Sequence, residues 1–212
     1  MRDLPMFTTQ FGVASLTLKE IPYTQTAYIL IQSASDPVAF LDECVGFCRA
    51  VGAEKIFASG TGIDGRYPLH TEILEMRVAK KDLPATCAKA KPIDEDVLES
   101  WRCHYNDRMK DVANAAWMDK TTALDILKHH GGYFIYKGDD TIGLGIVQNE
   151  CLMAVAALRK GAGRDVVLAL SEVIKDDSVV LEVASVNLPA VRLYQSLGFE
   201  MRSRKSVWYK IF

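Results

Sequence analysis

The chain has 212 residues, 49% hydrophobic and 25% charged, with a formal net charge of −2. That is ordinary for a globular protein long enough to bury a sizeable core, and it excludes a global basic field that would draw the chain to nucleic acid or an anionic membrane. No apolar run reaches the ~18 residues a bilayer span needs, the opening MRDLPMFTTQFG lacks a leader's apolar stretch, and five cysteines without a CxxC pair fit reduced thiols, so the expected compartment is cytoplasmic.

Residues 12–19 (GVASLTLK) and 24–32 (TQTAYILIQ) are rich in β-branched and aromatic residues and read as a hairpin turning around Pro22. Asp36 and Pro37 make a cap and first-turn pair for an amphipathic helix to about Ala50, with Val38, Leu41, Val45 and Cys48 or Phe47 inward. Cys44 and Cys48 are four apart on that helix; with no second Cys/His pair at ligand spacing, they are expected to fill core and no metal is expected. Residues 54–59 read as a strand, GTGIDGRYP as a turn, and HTEILEMRVAK as one more strand. The stretch 80–92, KKDLPATCAKAKP, is lysine-rich with two prolines and marks a boundary between halves, with a short strand at 86–91.

An acidic first turn after Asp94 opens a helix carrying Leu98, Trp101, Tyr105 and Met109 at helical spacing. A second helix opens at Asp119 or Thr121 and ends KHHGG, where the dipole already favours His129 and His130 without a metal or proton relay. Residues 132–137 and 141–148 are strands around a GDD turn, and 150–156 is apolar enough to be buried on both faces. LRKGAGRDVVLALSEVI follows. Its glycines let the backbone approach a ligand, and a helix starting near Ala162 directs free amides and about half a positive charge at the loop, where an anion belongs. From Val179 a buried strand runs to Asn187, which caps a helix with Pro189 in its first turn, Gly198 at its end, and Ala190, Val191, Tyr194 and Leu197 on one face. Tyr194 lies close to two turns beyond Asn187, so cap and phenol share a side. The tail RSRKSVWYKIF alternates as a last strand, its Arg202, Arg204 and Lys205 a solvated face rather than a nucleic-acid site.

The string LEVxxxNxxAxxLYxxxGF beginning at Leu181 resembles the C-terminal signature of the GNAT (GCN5-related N-acetyltransferase) superfamily. Six fixed positions recur by chance in such a chain with odds on the order of 10⁻⁵. The resemblance implies an α/β (α+β) fold with a mixed, mostly antiparallel sheet flanked by helices, a catalytic unit at residues 85–212, and acetyl transfer from acetyl-CoA to an amine of a small molecule or peptide. The strand, strand, helix, strand order of residues 1–84 resembles the second half of such a unit. Its loop SASDP has no glycines and no Asn/Tyr signature follows, so it reads as a partial, non-catalytic tandem copy.

By the same resemblance, backbone amides of Met153, Ala154 and Val155 contact the pantetheine and thioester, and the loop residues Arg159, Lys160, Gly161, Ala162, Gly163 and Arg164 hold the pyrophosphate. Asn187 completes the cofactor set, Tyr194 is the acid at the departing thiolate, and Glu182 is a water-mediated base, with Glu150 the other candidate. The family's Arg/Gln-x-x-Gly-x-Gly/Ala pattern puts Leu158 at its first position, so either a one-residue deletion lets Arg159 serve or that contact is lost. A phenol near pKa 10 donating to a thiolate whose acid is near 8.5 is uphill by ~2 kcal/mol. Deprotonating an alkyl amine at pH 7 costs about 4 to 5 kcal/mol, against about 1 for an α-amine, so a base matters most for lysine-like acceptors. Glu182, isolated in an apolar strand, needs a partner or a raised pKa, which suits a base or a structural carboxylate. The acceptor pocket is expected between residues 98–118 and the strand ends, lined by some of Trp101, Tyr105, Trp117 and Met118, although the first two also fit a core stripe. The alternatives are a CoA-binding regulatory module without turnover, and transfer of a bulkier acyl group over the small Ala154, Ala156 and Ala157. Partners beyond the acceptor are expected to include neither nucleic acid nor membrane, with the chain a monomer or homodimer.

Overall fold

A computed structural model describes residues 5–212; residues 1–4, the start of the segment read above as lacking a leader, lie outside it. The chain divides into two compact units, one made of residues up to Ile73 together with Arg204–Phe212, the other of Leu74–Ser203.

The first unit opens with β1 (Met6–Thr9), β2 (Gly12–Thr17), the one-turn helix α1 (Ile21–Thr24), β3 (Thr26–Ala34), α2 (Pro37–Ala50) and β4 (Lys55–Ser59), and β5 (Leu69–Ala79) leads out of it. The expected hairpin of β2 and β3 is antiparallel, and its turn tightens into α1 with Pro22 in the first turn and Gln25 left-handed at φ 56°. α2 crosses from β3 to a parallel β4, the two strands pairing from Thr26 with Lys55 to Leu30 with Ser59. Asp36 caps α2 by accepting from the amides of Val38 and Ala39.

β1, unmarked by any periodicity over four residues, pairs along β2 and sets Phe7 against Phe40 and Phe47 of α2, while Leu41 and Cys48 are buried as expected. Phe40, Leu41, Cys44 and Cys48 fill the core against Ala14, Leu16, Ala27, Ile29 and Ile56. The expected Val38 and Val45 are only half-buried, and Phe47 is turned toward Phe7 of β1, ring centroids 5.2 Å apart. Burial pushes the Cys44 thiol up to about 12 and the Cys48 thiol to about 11, as core cysteines require.

The second unit takes the rest of β5, a 3-10 turn at Lys80–Asp82, β6 (Lys89–Pro92), α3 (Glu95–Met109), α4 (Lys120–Lys128), β7 (Gly132–Lys137), β8 (Asp140–Gln148), β9 (Cys151–Ala157), α5 (Gly163–Val173), β10 (Ser178–Ala184), α6 (Leu188–Ser196) and the start of β11 (Glu200–Lys210). Three of the four α-helix starts in this unit carry a side-chain cap: Asp94 accepts from Val97, Asp119 rather than Thr121 caps α4 through Thr122, and Asn187 accepts from Ala190. His129 caps the C-terminus of α4 and His130 is left-handed at φ 52°, a helix ending; no metal-holding cluster of His, Cys, Asp and Glu occurs among the described residues.

In this unit the strand order is β5-β10-β9-β8-β7-β6, antiparallel from β6 to β9 and parallel between β9 and β10. One face is covered by α5 and α6, whose Val166, Val167, Leu170, Tyr194 and Leu197 meet Ile135, Ile142, Leu152, Leu181 and Val183. The other carries α3 and α4, with Trp101, Tyr105 and Ile126 against Phe134, Leu144, Ile146 and Ala156. The mixed, mostly antiparallel arrangement flanked by helices is the one expected. β11 ends in the first unit, where Tyr209 pairs with Ala58 and donates to Asp64 at 2.8 Å. No helix among the described residues is long and apolar enough to cross a membrane.

α5 lies close on β8 because Gly143 and Gly145 leave room for it. A Cβ on Gly145 would meet Leu170 Cδ1 at 2.3 Å and the Ala154 carbonyl oxygen at 2.7 Å. Overpacking of this kind costs about 1–3 kcal/mol. Gly145→Ala is therefore expected to lower the thermal midpoint by several degrees in a melting experiment; an unchanged midpoint would show that α5 has slack against the sheet.

Candidate functional site

The site begins with a mismatch between two strands. Ile146 of β8 pairs with Ala154 and Val147 pairs with Leu152, so Met153 is an extra residue, a β-bulge in β9. On its other edge β9 pairs with β10 only at Cys151 with Val180 and Leu152 with Leu181. Pairing stops where the bulge bends the strand. Beyond it, the edge of Met153–Ala157 that would continue toward β10 has no strand partner among the described residues, and Met153 is 61% exposed. Strand edges without partners present amides and carbonyls that an extended ligand can take up.

β9 runs out of this gap into the glycine loop. Gly161 is left-handed at φ 82°, with open space where a Cβ would point, so the turn needs glycine for its backbone alone. Gly163, the first residue of α5, lies close to α6: a Cβ there would stand 3.1 Å from Leu193 Cδ2, which would have to give by a few tenths of an ångström. Ala162 offers no capping side chain, so the first-turn amides of Gly163, Arg164 and Asp165 have no side-chain acceptor at the cap, and the positive end of the α5 dipole faces the loop.

The Asp165 carboxylate is held below the usual range chiefly by the hydrogen bond from Lys137 at 2.8 Å, helped by Thr86 at 3.1 Å. Arg159 lies 3.4 Å from Asp140, a largely exposed pair that contributes little and yields readily to a stronger anion. Lys160 and Arg164 are exposed.

The residues expected to do chemistry are found in unlike settings. Tyr194 is 8% exposed, its ring 5.7 Å from Phe199, and burial pushes its phenol up to about 12. Asn187 spends its side-chain oxygen on the Ala190 amide at 3.4 Å. Glu182 is the first residue of β10 past the last pair with β9. It is exposed rather than lodged in an apolar strand, because β10 alternates and sends Leu181 and Val183 to the helices instead. Its carboxylate is near enough to join partial burial, the larger cause, in pushing the Cys151 thiol up. Glu150 is otherwise engaged: its carboxylate accepts from the amides of Lys175 and Asp176 and holds the turn after α5.

Of the expected acceptor-pocket residues, Trp101 is fully buried with its Nε1 donating to the Tyr133 carbonyl at 3.0 Å, and Tyr105 stacks beside it, so both are core. Met118 is buried too, and Trp117 is half-buried. Ala156 is packed under α3 and α4, which takes away one of three places read as room for a bulky acyl group. Two features carried no signal in the sequence. Asn106, buried on α3, grips the backbone of Met118 by both its amide and carbonyl, fixing the end of the loop before α4. Arg108, also on α3, donates to the carbonyl of Leu158 at 3.1 Å.

An unpaired strand edge, an uncapped helix start and exposed cations together suit a ligand with an extended arm and an anionic head. Residues 144–209, from within β8 to near the end of β11, match the FR47-like protein family. No curated protein matches in sequence. Among solved structures, a GCN5-related N-acetyltransferase from Sphaerobacter thermophilus superposes with a TM-score of 0.59 at 11% identity, covering 94% of this chain and 76% of that one. A functionally unknown conserved protein from Staphylococcus epidermidis gives 0.62 at 10%, covering 99% and 94%. A tandem GNAT protein from the clavulanic acid biosynthesis pathway gives 0.56 at 12%, covering 94% and 78%. The chain thus has the fold of the GCN5-related N-acetyltransferases, and its segment 144–209 is similar to the FR47-like family.

Proposed function

We propose that this protein is an acetyl-CoA-dependent N-acetyltransferase that passes an acetyl group directly to the amine of a small molecule or peptide. The observation that carries the reading is the parting of β9 from β10 after two pairs at the Met153 bulge, directly upstream of the uncapped start of α5. The residues present fit coenzyme A. The free edge of Met153, Ala154 and Val155 suits the amide-bearing pantetheine arm, and the amides of loop residues Arg159 to Arg164, with the three cationic side chains there, suit a diphosphate.

When bound, acetyl-CoA supplies an acetyl group activated as a thioester. The backbone amides of the bulge orient that carbonyl and polarise it. The acceptor nitrogen must arrive with its lone pair free, and Glu182, exposed where the strands part, takes its proton directly or through a water. Tyr194 serves as a neutral hydrogen-bond donor at the sulfur. With its phenol at about 12 and a thiol near 8.5, full proton transfer would be uphill by about 5 kcal/mol, so donation without transfer is the role its burial supports.

The first unit supports a non-catalytic role by contrast. Its β3 and β4 stay paired over five positions, Gly60 beyond them lies against Ile31, and the opening amides of α2 are already taken by Asp36. The rival reading, a CoA-binding module without turnover, draws on the burial of Tyr194; release of free thiol from acetyl-CoA across an amine panel separates the two.

Calorimetry should show acetyl-CoA binding, and no heat at millimolar cofactor would reject the reading. Tyr194→Phe should lower kcat with cofactor affinity nearly unchanged; an unaltered rate would remove the phenol from the mechanism. The pH dependence has a definite sign. A folded state that keeps the phenol proton to about 12, against about 10 when unfolded, has this stabilisation in full below pH 10 and loses it as pH climbs to 12. Activity should therefore show no falling limb from Tyr194 below about pH 10. Denaturant unfolding of Tyr194→Phe should lose about 3 kcal/mol less than wild type between pH 10 and 12, and equal losses would mean the phenol is solvated.

A further inference from the structure

Three carboxylates near the 158–164 loop and the end of α3 have close cationic partners, one of them the loop's own Arg159. Asp165 is held by Lys137 and Thr86, Asp140 by Arg159, and Asp107 on α3 by Lys110 at 3.0 Å. Among the described residues, Lys160, Arg164 and Arg108 form no ion pair within 4 Å, although Arg108 and Arg164 are near enough to Asp107 and Asp165 to lower those carboxyls. Arg108 differs from the other two in being fixed. It is exposed, yet its Nη2 donates to the carbonyl oxygen of Leu158, the residue that joins β9 to the loop. A guanidinium is a planar fork of five N–H donors, and a contact with one carbonyl leaves most of the fork open. Leu158 contributes no charge of its own, so the helix on the opposite face of the sheet brings one to its position.

We propose that Arg108 is a diphosphate-binding residue, completing from α3 the cation set that holds the cofactor's diphosphate at the start of α5. The inference rests on the coenzyme A reading of this loop. Arginine suits the task because its fork matches two phosphate oxygens at once, and anchoring on a backbone carbonyl reduces the side-chain freedom to be lost on binding. The α3 helix then serves both ends of the ligand: Arg108 at the diphosphate, and Asn106, through Met118, at the loop expected to border the acceptor.

The test compares three probes, CoA, 3′-dephospho-CoA and pantetheine, on wild type, Arg108→Gln and Arg108→Lys, with affinity measured by calorimetry or as competition against acetyl-CoA. Arg108→Gln should weaken CoA and 3′-dephospho-CoA by the same roughly tenfold factor and leave pantetheine unchanged, with Arg108→Lys recovering part of the loss. An equal loss for pantetheine would assign Arg108 to loop shape and overturn the proposal. So would a loss confined to CoA, which points to the 3′-phosphate, or no loss at all. If wild type binds none of the three, the coenzyme A reading itself fails and this inference with it.

Discussion

Met153 has no counterpart on β8, and the geometry of the candidate site follows from that surplus residue. A bulge bends and twists its strand, and β9, bent between Leu152 and Ala154, can no longer stay within hydrogen-bonding reach of a parallel neighbour. Seven-residue strands that could form a long ladder share two positions. The free edge so created would be a liability on an ordinary sheet, where exposed amides invite pairing with another chain. Here it opens immediately before a helix start with no capping side chain, and the two deficits suit a single ligand.

The first unit shows the same strand, helix, strand crossover without the deficits. α2 begins with Asp36 and Pro37, so two amides are satisfied internally and a third is missing by chemistry. α5 begins with glycine and has no capping side chain. The contrast separates a crossover whose opening amides are satisfied internally from one whose first-turn amides have no side-chain acceptor at the cap, and it lies in three or four residues at each helix start.

Those local signals were legible in the sequence: Asp36 and Asn187 as caps, the acidic helix opening at Asp94, Gly198 as a helix end at φ 88°, and the glycine loop ahead of α5. What escaped were non-local facts. The bulge is a property of the register between β8 and β9, and register is fixed by packing on both faces, not by the composition of either strand. β1 is four residues long with no apolar period, yet its Phe7 packs against both Phe40 and Phe47, and it is Phe40 and Cys44 that join the core. Glu182 reads as a carboxylate in an apolar run, but strand alternation turns it away from its neighbours. Arg108 belongs to a polar helix face, and only the fold brings it to a carbonyl fifty residues on.

The route of the chain between the units has a bearing on synthesis. The first unit is begun by the N-terminal residues but includes Arg204–Phe212, whose Tyr209 and Lys210 pair with β4 and whose Phe212 exchanges backbone hydrogen bonds with Ile56. Domains generally fold as they emerge from the ribosome, N-terminal first. In this chain the earlier-made unit must wait, its β4 edge uncovered, until the later-made one has been translated through to its final strand. Order of completion is thereby reversed relative to order of manufacture.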